Sequence, residues 1–526
     1  MALLEIVLIM LGVAVLLGRF SDALRVPYPV LLVIAGMLLA FVPGLPQVEL
    51  DPTLVLALFL PPLLFASAYY TSWREFRLYL RPILMLAIGL VTATTLGVGV
   101  AFKYLVPEVP WAAAFLLGAI VSPPDAVAAA AIMERLKLPK RIVAILEGES
   151  LVNDATGLVL YKFALAATLT GAFSIWEAAG TFAIYAVGGT ALGYGIGLGA
   201  VAVMKRLHET LLQIVFSFVV PYVAFLLGEQ IHVSGVLAVV AAGLVLGWHA
   251  PEFFAPEARV QGHMVWNAVV FVLNALVFVL IGLELDGIVQ RLAAYTLPQL
   301  LGWATAISLV AILIRVAWVF PNAYWPYLFA SVRETEAKPH PAWVTIAGWC
   351  GMRGVVSLAA AQAIPYSMAQ GEPFPARDLI VFLSFAVIFA TLVVQGTTLG
   401  PLIRWLKVGG DRDEEEEEEL ARRKMAHAGM AELEAQVAVD LVALEIAPAI
   451  RRTYEARGRE AAPTQAEKEF DLARAQARRV RAALIGAERK RLLKLRRERE
   501  IGDGVLHKLL RELDIEEMRL ATRRDF

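Results

Sequence analysis

The run Glu147-Gly148-Glu149-Ser150-Leu151-Val152-Asn153-Asp154 places three carboxylates, an amide and a hydroxyl inside an apolar stretch of the chain. Asp154 lies 13 residues beyond the basic Arg141. On a helix that is roughly 18–20 Å at 1.5 Å per residue, close to the middle of a hydrocarbon layer about 30 Å thick. Ser150 and Asp154 are spaced i,i+4 and share a face, with Asn153 beside them. Carboxylate, amide carbonyl and hydroxyl form a hard-oxygen set, suited to Na⁺ better than to a soft metal. The plainer alternative is a polar network that holds helices together.

Other ionisable residues also sit where they are expensive. A charge at the centre of a membrane span costs several kcal/mol, roughly 2.5–3.5 on insertion scales, so each is a functional candidate. Asp125 follows Ser122-Pro123-Pro124, and two prolines in mid-span break a helix. A broken helix at membrane depth survives only against protein or a water cavity, where its half-helix ends can serve ions. A kink with a snorkelling acid is the alternative, but Asp125 is too deep to snorkel. Glu149 and Arg315 are each deep in separate spans. We expect them to pair, as a bridge holding two helices and not as ion ligands. Arg353, in Gly351-Met352-Arg353-Gly354, suggests an unwound segment whose cation offsets half-helix ends or a carboxylate; a simple salt bridge is the alternative. Glu147, Lys162, Glu284 and Asp286 lie near span ends and are weaker candidates. A lone His232 reads as structural.

The elements that must position these residues are membrane helices. The 526-residue chain is 59% hydrophobic, above the half expected of a soluble domain. Thirteen apolar stretches are long enough, or nearly so, to span: roughly 3–18, 28–44, 52–70, 82–105, 111–133, 142–165, 177–204, 210–229, 233–248, 265–283, 299–320, 342–364 and 379–400. The first has no basic residue before it and reads as a retained span, not a signal peptide. Basic residues gather in the odd loops (Arg19/Arg25, Arg74/Arg77/Arg81, Arg135/Lys137/Lys140/Arg141, Lys205/Arg206), which places those loops inside the cell. The N-terminus is then outside and the C-terminal tail cytoplasmic, as an odd span count requires. Charge is uneven: residues 1–410 hold 22 basic and 22 acidic residues, and residues 411–526 hold 25 and 26. We therefore divide the chain into a transmembrane domain, 1–408, and a charged helical tail, 409–526. The tail opens with Glu414 to Glu419 and reads as solvated helices with i,i+4 pairs.

With six spans, a linker span and six more, the fifth and twelfth become equivalent, and each carries an interruption. Paired interruptions point to inverted repeats and a midplane binding site. The expected fold is thus an all-α membrane protein of about 13 transmembrane helices, with inverted six-helix repeats, broken helices crossing at the midplane and a helical cytoplasmic tail.

The Glu147–Asp154 run, followed by Leu160-Tyr161, resembles the hallmark of sodium/proton exchangers of cation:proton antiporter family 1. So do Asp125-Ala-Val-Ala (with Ala126 where many members have proline), Pro61-Pro62-Leu63-Leu64-Phe65, Arg315, Gly351-Met-Arg353-Gly and Val394-Gln395-Gly396-Thr397. The likeness covers about residues 1–405. It implies a homodimer whose core domain moves against a dimerisation domain. It also implies Asp154 as the residue that alternately binds cation and proton, Asp125, Ser150 and Asn153 around it, and a Glu149–Arg315 bridge. Ala66 departs from the pattern, since many members are acidic there.

The expected activity is exchange of Na⁺ or Li⁺ for H⁺ across a bacterial-type inner membrane, serving pH homeostasis. Asn153, where some relatives have a second aspartate, predicts one proton per cation and electroneutral transport. K⁺/H⁺ exchange by the same fold is the nearest alternative and a cation channel a remoter one. A membrane sensor is disfavoured because the tail lacks nucleotide-binding and phosphotransfer motifs. No metal-ligand His/Cys cluster, catalytic triad or P-loop argues for an enzyme, no cofactor is expected, and a net charge of −1 gives no reason to expect nucleic acid. Membrane lipid and a second copy of the chain are the expected partners.

Overall fold

The computed structural model describes residues 2–24, 28–40, 42, 52–125, 133, 138–171, 175–254, 256–329, 338–368, 372–408 and 412–438, with scattered positions between 448 and 515. Among them the regular secondary structure is helical, apart from one isolated bridge between Ser367 and Pro373. The helices are α1 (Ala2–Leu24), α2 (Tyr28–Ala40), α3 (Pro52–Tyr70), α4 (Trp73–Leu78), α5 (Leu80–Leu105), α6 (Trp111–Val121), α7 (Lys140–Thr170) and α8 (Ile175–Met204). They continue as α9 (Thr210–Gln230), α10 (Gly235–Phe253), α11 (Pro256–Arg291), α12 (Leu297–Tyr324), α13 (Pro341–Trp349), α14 (Val355–Gln362), α15 (Arg377–Trp405) and α16 (Arg412–Ala438).

Among the described residues seven helices are long and apolar enough to cross a membrane, within α5, α8, α9, α10, α11, α12 and α15. Shorter apolar helices lie in α1, α2, α3 and α6. α7 is absent from both groups because its 31 residues include Glu147, Glu149, Asn153, Asp154 and Lys162. Both stretches in which the sequence predicts an interruption are interrupted. The helix expected over 111–133 stops at Val121, and that over 342–364 is split into α13 and α14.

The chain forms two compact units, Met1–Asp411 and Arg412–Phe526. The second contains α16, where Gln436 donates to Glu432 one turn earlier at 2.8 Å. In the first unit, one apolar cluster joins α5, α6, α12 and α15 around Phe102, Leu116, Ile307 and Leu383. Another joins α3, α8, α9 and α10 around Phe65, Met204, Ala224 and Leu246. α7 runs between them: its Tyr161 and Ala164 belong to the first cluster, its Leu151 and Ala155 to the second.

In lipid, helices gain little from burying apolar surface against one another, so close backbone approach has to supply the attraction. Gly36 of α2 and Gly282 of α11 show how. A Cβ on either would collide with the opposite backbone. α5 holds one π turn, Met85–Leu90, and Trp318 of α12 donates its indole N–H to the Met85 carbonyl at 3.1 Å.

Candidate cation and proton site

The site begins with two chain breaks. α6 ends before Ser122 because Pro123 and Pro124 have no N–H to continue the ladder. Ser122 turns its hydroxyl back to the Ala119 carbonyl at 3.0 Å. α13 ends at Trp349, residues 350–354 are not helical, and α14 resumes at Val355. Each break leaves backbone groups without helical partners, and the two breaks meet. The Asp125 N–H donates to the Met352 carbonyl at 2.7 Å. A Cβ on Gly354 would overlap the Asp125 carboxyl group, so only glycine leaves room there.

Gly354→Ala should therefore push the breaks apart. Overpacking of this kind costs roughly 1–3 kcal/mol. The expected result is a loss of exchange of about tenfold or more in liposomes with the protein still folded by thermal melt. Wild-type rates would show that the crossing tolerates separation.

α7 passes beside this crossing. The Pro123 ring packs on Gly157, close enough that an added Cβ there would touch it at 3.0 Å. Asn153, 0% exposed, donates its side-chain N–H to the Pro124 carbonyl at 2.8 Å. That bond orients the amide and leaves its buried Oδ1 without a hydrogen-bond partner among the described residues. Asp154 is 6% exposed, and Asp125 is near enough to bear on it electrostatically. Ser150, one turn before Asp154, is also buried. The structure thus gathers Asp125, Asn153 and Asp154 at one place, with Ser150 on the same helix.

The Glu149 carboxylate accepts from Arg315 Nη1 at 2.6 Å and Nη2 at 2.8 Å, and both side chains are about 1% exposed. Arg315 also donates to the Ala347 carbonyl through Nε (3.2 Å) and Nη2 (3.0 Å). This joins α7, α12 and the end of α13. Arg353 is equally buried. Its Nη1 donates to the Gly351 carbonyl at 2.9 Å, and its backbone N–H to Thr391 Oγ1 at 3.1 Å. The guanidinium therefore faces a carbonyl of the unwound segment.

Other sequence candidates lie apart. Lys162 of α7 bonds both Glu229 oxygens at 2.9 Å, linking α7 to α9. The side chains of Glu284 and Asp286, and residues 126–132 with Ala126, fall outside the described residues. Ala66 is buried at 6% exposure. Thr391 was not singled out from the sequence, although it and the buried Gln395 form an i,i+4 polar pair inside an apolar helix.

A helical membrane protein in which two chain interruptions meet beside buried carboxylates is built as a secondary transporter. Residues 7–405 match the family described as "Sodium/hydrogen exchanger, transmembrane". An uncharacterized Na⁺/H⁺ exchanger of Mycobacterium tuberculosis is 35% identical over 99% of this chain and 97% of its own length. The sodium, potassium, lithium and rubidium/H⁺ antiporter of Bacillus pumilus is 36% identical over 72% of this chain and 58% of its own. The solved structure of the sodium proton antiporter MjNhaP1 from Methanocaldococcus jannaschii matches with a TM-score of 0.61 at 19% identity, covering 77% of this chain and 99% of that one; the likeness speaks for the fold. The chain belongs to the sodium/hydrogen exchanger family: it is a multi-pass membrane cation/proton antiporter and not an enzyme.

Proposed function

We propose that the chain exchanges Na⁺ or Li⁺ for H⁺, with Asp154 as the group that carries either the cation or the proton. The observation that carries this reading is the buried Asn153 Oδ1, which lacks a hydrogen-bond partner among the described residues and sits beside a buried carboxylate. Leaving such an oxygen unsatisfied costs about 1–3 kcal/mol, a cost that cation coordination removes. Asp154, Asn153, Asp125 and Ser150 form the proposed oxygen set, with Glu149–Arg315 as a structural bridge and Arg353 compensating the ends of the broken helices.

The coupling follows from charge. One carboxylate does not usefully hold Na⁺ and H⁺ together. Either one neutralises it, and a neutral site crosses a hydrophobic barrier far more cheaply than a charged one. The loaded site moves and the empty one does not, so exchange needs no separate gate. α7, lying between two apolar clusters, is the element along which such a movement would run. With Asn153 in place of a second aspartate, we infer one proton per cation and electroneutral exchange.

The same reading includes about 13 spans in inverted repeats, a transmembrane domain 1–408 and a charged tail 409–526. It places the N-terminus outside, the tail in the cytoplasm and a homodimer in the inner membrane. K⁺ is the second reading for the substrate, favoured by the relative named for sodium, potassium, lithium and rubidium. Oxygen ligands alone do not separate these ions; site size and field strength do.

The test uses purified protein in liposomes carrying a pH-sensitive dye and an imposed proton gradient. Na⁺ and Li⁺ are expected to collapse the gradient and K⁺ to leave it, with no net current in a planar bilayer. Response to K⁺ as well would change the substrate, a measured current would overturn electroneutrality, and silence with all three cations would overturn the reading.

A further inference from the structure

Residues 350–354 belong to no helix, so no helical ladder fixes the direction of their peptide groups. The peptide between Met352 and Arg353 is nevertheless held at both ends. Its carbonyl, on Met352, accepts from the Asp125 N–H at 2.7 Å. Its N–H, on Arg353, donates to Thr391 Oγ1 of α15 at 3.1 Å. The Thr391 hydroxyl spends its own hydrogen within its helix, where the Val387 carbonyl lies at 2.8 Å and that of Ile388 at 3.1 Å. Back-bonding of this kind is common for a threonine in a helix, and it leaves the oxygen lone pairs to accept. Thr391 is 0% and Arg353 1% exposed, so bulk water does not compete for this bond. The buried Met352 side chain shares an apolar cluster with Ile388 and Leu392 of the same α15.

We propose that Thr391 is a positioning residue of the cation site: by accepting the Arg353 N–H, its hydroxyl oxygen keeps the Met352 carbonyl turned to Asp125 and so fixes where the Asp125 carboxylate stands. The inference rests on the reading of Asp125 as a member of the cation site, and deepens it. A peptide group is a rigid plane, so an acceptor at its N–H end sets the direction of its C=O end. Turned over, this peptide would bring its N–H against the Asp125 N–H, two donors without an acceptor, and would strand the Met352 carbonyl. Thr391 therefore selects one of the two orientations. The braced segment meets Asp125 a second time, because Gly354, one residue beyond Arg353, lies against its carboxyl group. α15 is suited to the task, being one unbroken helix from Arg377 to Trp405 beside a segment that has no helix of its own. In this role Thr391 touches neither cation nor proton and acts through the backbone alone.

The experiment compares full-length wild-type protein with Thr391→Val, which nearly keeps the shape and loses the acceptor, and Thr391→Ser, which keeps the acceptor. Cation/proton exchange in liposomes is followed against Na⁺ concentration. Amide hydrogen exchange of segments 122–125 and 350–354 is followed in detergent by mass spectrometry. Thr391→Val is expected to raise the KM for Na⁺ by about tenfold with the maximal rate little changed, the signature of weakened binding. Its amide exchange should quicken in both segments, at 350–354 through the lost bond and at 122–125 through the loosened Met352 carbonyl. Thr391→Ser should restore both readouts. Ser308→Ala, which removes a buried α12 hydroxyl bonded to the Ala304 carbonyl at 2.7 Å, should change neither. Thr391→Ala carries the same test if the valine variant does not fold. Thr391→Val with wild-type KM and wild-type amide exchange, faster amide exchange confined to 350–354, or a serine variant as impaired as the valine one would overturn the proposal. Amide exchange needs no transport, so it reads the bracing even in a protein that moves none of the cations. Failure of the positioning role is in this way distinct from failure of the antiporter reading.

Discussion

Asp154→Asn should reduce exchange to the level of protein-free liposomes for every cation, with the protein still folded. The substitution keeps shape and volume and removes the group proposed to bind a proton or balance a cation. Stability should hold or rise, because a buried carboxylate is costly to keep and its amide is not. Na⁺-driven collapse of a proton gradient, measured beside a thermal melt, separates the two effects. A folded Asp154→Asn protein that still exchanges would sink the assignment of this residue and move the search to Asp125.

The largest effect on stability is expected at the Glu149–Arg315 bridge. Glu149→Ala leaves a guanidinium that is 0% exposed without its carboxylate. Breaking one side of a buried pair in this way costs about 3–5 kcal/mol. The cost should appear as a lowered unfolding temperature in detergent and poor yield from the membrane. Replacing both partners by apolar residues, as in Glu149→Leu with Arg315→Met, should restore much of the stability, since a well-packed apolar pair is often as favourable as the ions it replaces. Exchange should not return with it, because the Ala347 carbonyl then loses both Arg315 donors next to the unwound segment. A double variant that transports at the wild-type rate would reduce the bridge to packing alone.

The features visible in the sequence were those that a residue type enforces by itself. Pro123 and Pro124 cannot continue a helix, and Gly351 and Gly354 mark where the other break falls. Glu149 and Arg315 are charges too deep to leave unpaired, and the structure places them within 2.6 Å. What was not visible depends on which backbone carbonyl faces which donor after the helices cross. Nothing in the side-chain pattern announces that Asp125 bonds Met352, that Asn153 is oriented by Pro124, or that Thr391 receives the Arg353 N–H. Backbone carbonyls are the same in every residue, so only the tertiary path selects among them. The same limit applies to α2 and α11. Gly36 and Gly282 are plain small residues until the two helices are seen to meet there.

The bridge between α7 and α12 also orders the making of the protein. Its partners are 166 residues apart, so α7 leaves the ribosome long before Arg315 has been translated. During that interval Glu149 has no cation to receive it, and a lone carboxylate does not settle in hydrocarbon. Until then Glu149 is expected to be held neutral by a proton or to keep α7 near a wet boundary. The arrival of α12 becomes the signal that lets it move inward. Final seating of the helix that carries Asp154 is therefore expected to follow insertion of α12.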